Sequence, residues 1–281
     1  MIDNYLLGID LGTSRIKAVL FDIRGQSVFS SWRDFRLYGE ANHSEVDMDE
    51  LWEDVAQTIK DVARKMEPGS VIAAAAVSGQ GEGLWLIDED DQPTGPAILW
   101  NDSRAEQLVK ELEKEPAMNE KVRKITGSSL FPGATSVLLR WLEDTNPKQL
   151  DRAHKILFCK DWIRLKLTGV VGTDITDIST SLLDIKRRAP TIELFDLLGI
   201  GNRASLIPQT FEPAEHAGAI TKKAADATGL PLGTPVAAGA FDVAATAAGC
   251  GAVNVGDACV ILGTSGCSIV VSDFVETDIT A

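Results

Sequence analysis

Residues 5–21 read Tyr5-Leu6-Leu7-Gly8-Ile9-Asp10-Leu11-Gly12-Thr13-Ser14-Arg15-Ile16-Lys17-Ala18-Val19-Leu20-Phe21. Tyr5–Asp10 is apolar until its acidic end, Gly12-Thr13-Ser14 turns the chain, and Ile16–Phe21 is apolar again. Two apolar runs around a glycine-containing turn predict a β-hairpin. A turn at Asp22–Gln26 and the alternating stretch Ser27–Phe35 add a third strand. From Met48 to Met66, the residues Leu51, Val55, Ile59, Val62 and Met66 recur at helical spacing, and Asp47 with Glu50 makes a capping box. Val71–Val77 is continuously apolar, as suits a strand buried on both faces. This order predicts an α/β fold, a mixed sheet with flanking helices.

Further along, helices are expected at Arg104–Glu115, Asn119–Thr126 (stopped by Gly127) and Ser136–Asp144 (stopped before Pro147). His154–Cys159 reads as a short strand and Trp162–Thr168 as a helix ended by Gly169. Thr221 caps a helix that Gly229 closes, and Pro235–Ala240 is a strand running into the small-residue stretch Asp242–Ala252. Ala258–Leu262 then leads into Gly263-Thr264-Ser265-Gly266, a near copy of the first turn roughly 250 residues later. This second strand–turn–strand stops with no helix to cover it. A lone hairpin is marginal in water, so the chain is expected to be part of something longer.

The chain has 281 residues with 27 basic and 41 acidic side chains, a formal charge of −14. That argues against nonspecific nucleic-acid binding and a polybasic membrane dock. It does not exclude a nucleotide, because a phosphate site needs only local N–H groups and a metal ion. Cys159, Cys250, Cys259 and Cys267 form no CxxC pair and read as small buried hydrophobes, which fits a reducing cytoplasm. MIDNYLLGID lacks the pattern of a signal peptide, and no apolar run approaches a membrane span.

Five segments carry chemistry. Asp10, Gly12, Thr13, Ser14 and Lys17 suit a phosphate grip in which Asp10 holds Mg²⁺ through water; a plain hairpin is the alternative. Gly263 and Thr264 repeat the turn without the acidic residue, since Leu262 stands where Asp10 would. Asp242 ends an apolar strand and suits a base that takes a proton from a hydroxyl, or equally a helix N-cap. Gln80 and Glu82, in Ser78-Gly79-Gln80-Gly81-Glu82-Gly83, suit a loop that hydrogen-bonds a polyol; Glu82 also reads as a solvated turn residue. Trp100 offers a flat wall for sugar C–H groups and Asp102 an acceptor, against the alternative of a core Trp and a cap at Asn101 or Asp102.

In this order the segments GIDLGTSRIKAVLFD, HSEVDMDELW, VSGQGEGLWLID, AILWNDSR, KDWIRLKLTG, TDITDIS, AGAFDVAATAAG and LGTSG resemble the FGGY carbohydrate kinases. The resemblance implies the ribonuclease-H-like, actin-like ATPase fold. It also implies a sugar-binding lobe over 1–251 and the start of a nucleotide-binding lobe over 252–281. Its implied cofactors are ATP and Mg²⁺, and its implied activity is phosphorylation of a sugar or polyol hydroxyl, with a homodimer allowed. By the resemblance Asp242 is the general base, Asp10 assists Mg²⁺, Thr13, Ser14 and Thr264 line the phosphates, and Gln80, Glu82 and Trp100 approach the sugar. D-xylulose kinases carry Met-His after the Gln and glycerol kinases Arg-Glu, whereas this chain has Gly81-Glu82, with Ala240-Phe241 ahead of the base. Those departures look more like L-xylulose and erythritol kinases and imply a pentulose or short polyol. The adenine pocket of the family lies in the half beyond this sequence, so the chain alone is expected to be inactive. An actin-like or chaperone-like ATPase lobe, or a catalytically idle sugar sensor, are the competing readings.

Overall fold

Alternation in the opening strand sets the sheet: Tyr5, Leu7, Ile9 and Leu11 turn inward and are buried, while Leu6 and Asp10 point out. The computed structural model describes residues 4–275 and 277, apart from 41, 68 and 263–265. Strands β1 (Asn4–Leu11), β2 (Arg15–Asp22) and β3 (Ser27–Asp34) form an antiparallel meander. Helix α1 (Met48–Ala63) crosses over and delivers β4 (Val71–Gly79) parallel to β1. After a helical insertion containing α2 (Thr135–Thr145), α3 (Cys159–Thr168) and α4 (Ile175–Ile178), the chain returns to the sheet. There β5 (His216–Ala219), α5 (Lys222–Thr228), β6 (Pro235–Ala237) and β7 (Ala240–Phe241) complete it. The order is β5-β6-β4-β1-β2-β3, with β7 also pairing β4, which is the ribonuclease-H-like arrangement expected. Helix α6 (Asp242–Gly249) then leads to a separate hairpin, β8 (Ala258–Leu262) and β9 (Gly266–Val270).

Leu51, Val55, Ile59 and Val62 form the inner stripe of α1 and are buried in the core that also contains the sheet. Full burial of such a side chain stabilises by about 1.5–3 kcal/mol, so this stripe does much to hold α1 in place. Asp47 caps the helix, accepting from the Asp49 and Glu50 N–H groups. The capping box is only half formed, because the Glu50 carboxylate turns to the Tyr38 hydroxyl and Arg36 instead. A second core surrounds α2 and joins Leu84, Leu138, Phe158 and Phe195, so the insertion packs on itself above the sheet. Gly127, Gly169 and Gly229 close their helices as expected. No helix among the described residues is long and apolar enough to cross a membrane.

Two expected boundaries move. The helix expected from Arg104 starts at Glu106, because the Arg104 N–H and guanidinium are bound to Asp102. The strand expected to reach Cys159 stops at Leu157, and Cys159 opens α3. That turn carries the Lys160 side chain inward, where it has no exposed surface.

Around Lys160 lies a buried ionic cluster. Its ammonium is 2.6 Å from Asp161, 2.8 Å from Asp174 and 3.0 Å from Asp177. Arg164, also fully buried, reaches Asp161 at 3.1 Å and the Gly172 carbonyl. Burial pulls the pKa of Lys160 down, but the three carboxylates outweigh it and hold the ammonium protonated. Burial also raises Asp177 well above the usual carboxylate range, with Asp161 and Asp174 adding to the shift against Lys160. Lys160→Ala leaves the carboxylates facing one another in a dry interior, and a loss of about 3–5 kcal/mol is expected. Urea unfolding followed by tryptophan fluorescence checks this; an unchanged midpoint would show that the cluster is not structural.

Candidate active site

Strand pairing decides which side chains meet. Both β1 and β7 run alongside the end of β4, with Asp10 and Ala240 each opposite Ser78 and Phe241 opposite Gly79. Neighbouring strands lie about 4.8 Å apart, so the backbones leading to Asp10 and Asp242 stand roughly 10 Å apart across the end of β4. Parallel strands open their carboxyl ends toward ligands, and β1 and β7 both end there.

Asp242 is the first residue of α6, while Phe241 holds the cap position without a side-chain bond. The alternative reading of Asp242 as the N-cap is therefore set aside. Burial pushes its pKa up to about 6; the Val243 N–H opposes this and the charge of Asp10 reinforces it. Asp10 is also raised, because protein groups crowd it although the residue is exposed; like Lys17, it does not line the cleft beside Asp242. Lys17, directly opposite it across the hairpin, and the Leu11 N–H pull the other way.

A cleft of about 630 Å³ opens beside Asp242 and is lined by Thr13, Gln80, Glu82, Trp100, Phe131 and Phe241, among others. Gln80 is 3% exposed, and neither end of its amide has a partner among the described residues. Glu82 is buried, which excludes the solvated-turn reading. Its Oε2 accepts from the Thr135 N–H and the Ser181 hydroxyl, each at 2.8 Å. Burial raises its pKa and those hydrogen bonds oppose the shift. Trp100 is 41% exposed, so its ring is available at the cleft.

Not every candidate arrives there. The Asp102 side chain is sealed away from the cleft, accepting from the Ser44 N–H at 2.7 Å and clamping Arg104. It caps no helix and faces no ligand space, because its lone pairs are taken by this clamp. Lys17 is exposed and does not line the cleft. In the first turn the Gly12 N–H is committed to the Arg15 carbonyl at 3.0 Å, leaving Thr13 and Ser14 to offer theirs. Gly12 needs no special backbone angle, and a Cβ there would make only an ordinary contact, 3.6 Å from Arg15 O. Gly263 and Thr264 lie outside the described residues. Phe131 and Thr180 also line the cleft and were not singled out from sequence: Phe131 lies in no motif, and Thr180 follows the TDITDIS run, to which no chemistry is assigned.

Residues 5–249 match the N-terminal domain of the FGGY family of carbohydrate kinases. The chain is 35% identical over 266 residues to an erythritol kinase of Brucella abortus (strain 2308), covering 93% of this chain and 51% of that protein. It is also 35% identical over 246 residues to the L-xylulose/3-keto-L-gulonate kinase of Escherichia coli (strain K12), covering 86% of this chain and 49% of the relative. A crystal structure of xylulose kinase from Rhodospirillum rubrum superposes with a TM-score of 0.90 at 26% identity, over 98% of this chain and 56% of that one. The fold is thus that of the actin-like ATPases, and the chain spans about half the length of the curated relatives it matches.

The raised pKa of Asp242 has a consequence for stability. Its folded-state value lies above the ordinary 3.8, so the stability it contributes is complete below about pH 4 and lost as pH rises through about 6. At pH 8 the ionised carboxylate is a burden of about 1 kcal/mol, after allowance for its contact with cleft water. Asp242→Asn is expected to raise the thermal midpoint at pH 8 and leave it nearly unchanged at pH 4. The same change at both pH values would show that Asp242 has an ordinary pKa.

Proposed function

Because the chain belongs to the FGGY family of carbohydrate kinases, we propose that it forms the acceptor-binding lobe of an enzyme that phosphorylates a hydroxyl of a neutral pentulose or short polyol. The observation that carries this is Gln80, a buried amide unpaired at both ends among the described residues, lining the same cleft as a carboxylate with pKa about 6. Leaving a buried polar group unpaired costs about 1–3 kcal/mol, which a ligand with hydroxyls restores. Among the residues lining that cleft there is no Lys or Arg, so an acidic acceptor would meet Asp242 and Glu82 with no counter-charge. The lobe extends over 1–251 in this reading, and 252–281 begins the nucleotide-binding lobe. Four free cysteines suit a reducing cytoplasm.

Asp242 accepts the proton of the acceptor hydroxyl. A value near 6 leaves it about ten-to-one ionised at pH 7 and still basic enough to share a proton. Gln80 and Glu82 orient the hydroxyls, and Trp100 covers the C–H face. Mg²⁺ binds through one or two carboxylates plus phosphate oxygens and water rather than a full protein cage. Asp10 fits the carboxylate part of that need, and the Thr13 and Ser14 N–H groups, which have no backbone acceptor among the described residues, fit phosphate oxygens; no cluster of three metal-binding side chains exists among the described residues. When bound, MgATP supplies the phosphoryl group and neutralises its charge. An actin-like or chaperone-like ATPase lobe gives no role to Gln80 or Trp100, and the family match leaves it without support.

A thermal-shift panel of L-xylulose, D-xylulose, erythritol, xylitol, ribitol, glycerol and 3-keto-L-gulonate tests the acceptor. Saturation near 100 times Kd should add about 2.7 kcal/mol, a rise of several degrees. One or two neutral acceptors are expected to give it and the acidic sugar none. A shift with the acid alone would overturn the neutral-acceptor reading. In whatever length of this protein supports phosphoryl transfer, Asp242→Asn should lower kcat by about 10²–10⁴-fold while the acceptor still binds. Retained turnover would remove Asp242 as the base.

A further inference from the structure

Gly81 sits between the two polar residues of the acceptor loop, yet its backbone does not require glycine, because its φ is not in the left-handed region. What excludes a side chain is packing. A Cβ at this position would stand 2.7 Å from Cδ2 and from Cε2 of Phe241, and 3.0 Å from Oδ1 of Asp177. The Asp177 carboxylate is buried, and its other oxygen, Oδ2, is paired with Lys160 at 3.0 Å. Phe241 is held from behind: its N–H donates to the Thr176 hydroxyl at 2.9 Å, and that hydroxyl donates to Asp174 at 2.6 Å. Asp174 is in turn paired with Lys160. The ring therefore occupies the volume through which a residue-81 side chain would enter the cleft, and it lines that cleft directly ahead of Asp242.

We propose that Phe241 is a specificity-determining residue and that Gly81 is its steric partner, the aromatic ring replacing a side chain at position 81 as the wall beside the reacting hydroxyl. A flat apolar wall at that point favours an unbranched acceptor that lays C–H groups on it while Gln80 takes hydroxyls on the other side. The wall also closes space that a longer chain would need. This specificity assignment rests on the kinase reading above; the steric exchange does not.

The test is a double-variant cycle on this chain with Gly81→Ala, Phe241→Ala and both together. Gly81→Ala alone should lower the thermal midpoint by about 3–10 °C, as overpacking of a filled site does. Placed on top of Phe241→Ala, the same change should cost less than half as much, the remainder being the 3.0 Å approach to Asp177 Oδ1. Equal losses in both backgrounds would overturn the exchange. Phe241→Ala should weaken the best acceptor of the panel by tenfold or more in calorimetric titration and admit a six-carbon polyol such as sorbitol. Coupled stabilities with unchanged acceptor preference would leave Phe241 a packing residue and overturn its role in specificity. If the wild-type chain bound no acceptor, the specificity assignment would fall with the kinase reading, while the stability cycle would still decide the exchange.

Discussion

Lys160 reaches three carboxylates at once, from its own helix, from the residue that caps α4 and from α4 itself. Such a cluster is a weak source of net stability, because removing charges from water costs nearly what their attraction returns. Its value lies in geometry, since the cluster only closes when α3 and α4 stand in one relative position. From there two short chains of contact run to the cleft. Asp174 holds Thr176, which holds the backbone at Phe241, and Asp177 abuts Gly81. Phe241 and Gly81, both on the cleft, are therefore each linked to one buried ammonium.

The sheet supplies the other constraint. β4 is flanked by β1 and β7 at its final residues, so the placement of Asp10 and Asp242 follows from hydrogen-bond register and not from loop conformation. Phosphoryl transfer with a loose transition state asks mainly for position, and strand ends provide it more firmly than loops do. Each carboxylate raises the other's cost of ionisation only modestly at such separation. Burial is the larger cause of the shift at Asp242, which ties its basicity to the closeness of the cleft walls.

Local pattern made the sheet legible, because alternation at Tyr5–Leu11 and the helical stripe of α1 are properties of single segments. The polar residues at strand ends stand out for the same reason: Asp10, Gln80 and Asp242 each follow an apolar run. Asp102 misled because a carboxylate beside Trp100 has the composition of a sugar site, and only the fold brings Ser44 to it, 58 residues away in sequence. The Lys160 cluster was hidden similarly. No local pattern singles out the Lys160 or Asp174 side chain, and their burial depends on α3 packing into the core under the sheet. Contacts of this kind have no periodicity to announce them.

The loop after β4 shows where folding free energy is spent on the site. Gly83 must be glycine, since its φ is +77° and a Cβ would lie 2.3 Å from Ile98 O. Glu82, before it, is not glycine yet adopts φ +56°, a conformation that costs a side-chain-bearing residue about 1–2 kcal/mol. Donors from Thr135 and Ser181 hold its carboxylate there and offset that cost. The bend that results fixes Gln80 on the cleft wall with its amide facing no protein partner. Strain at Glu82 and the unpaired amide at Gln80 are thus one arrangement. The backbone cost at Glu82 is met within the fold, whereas the cost at Gln80 is left for a group outside the described residues to offset.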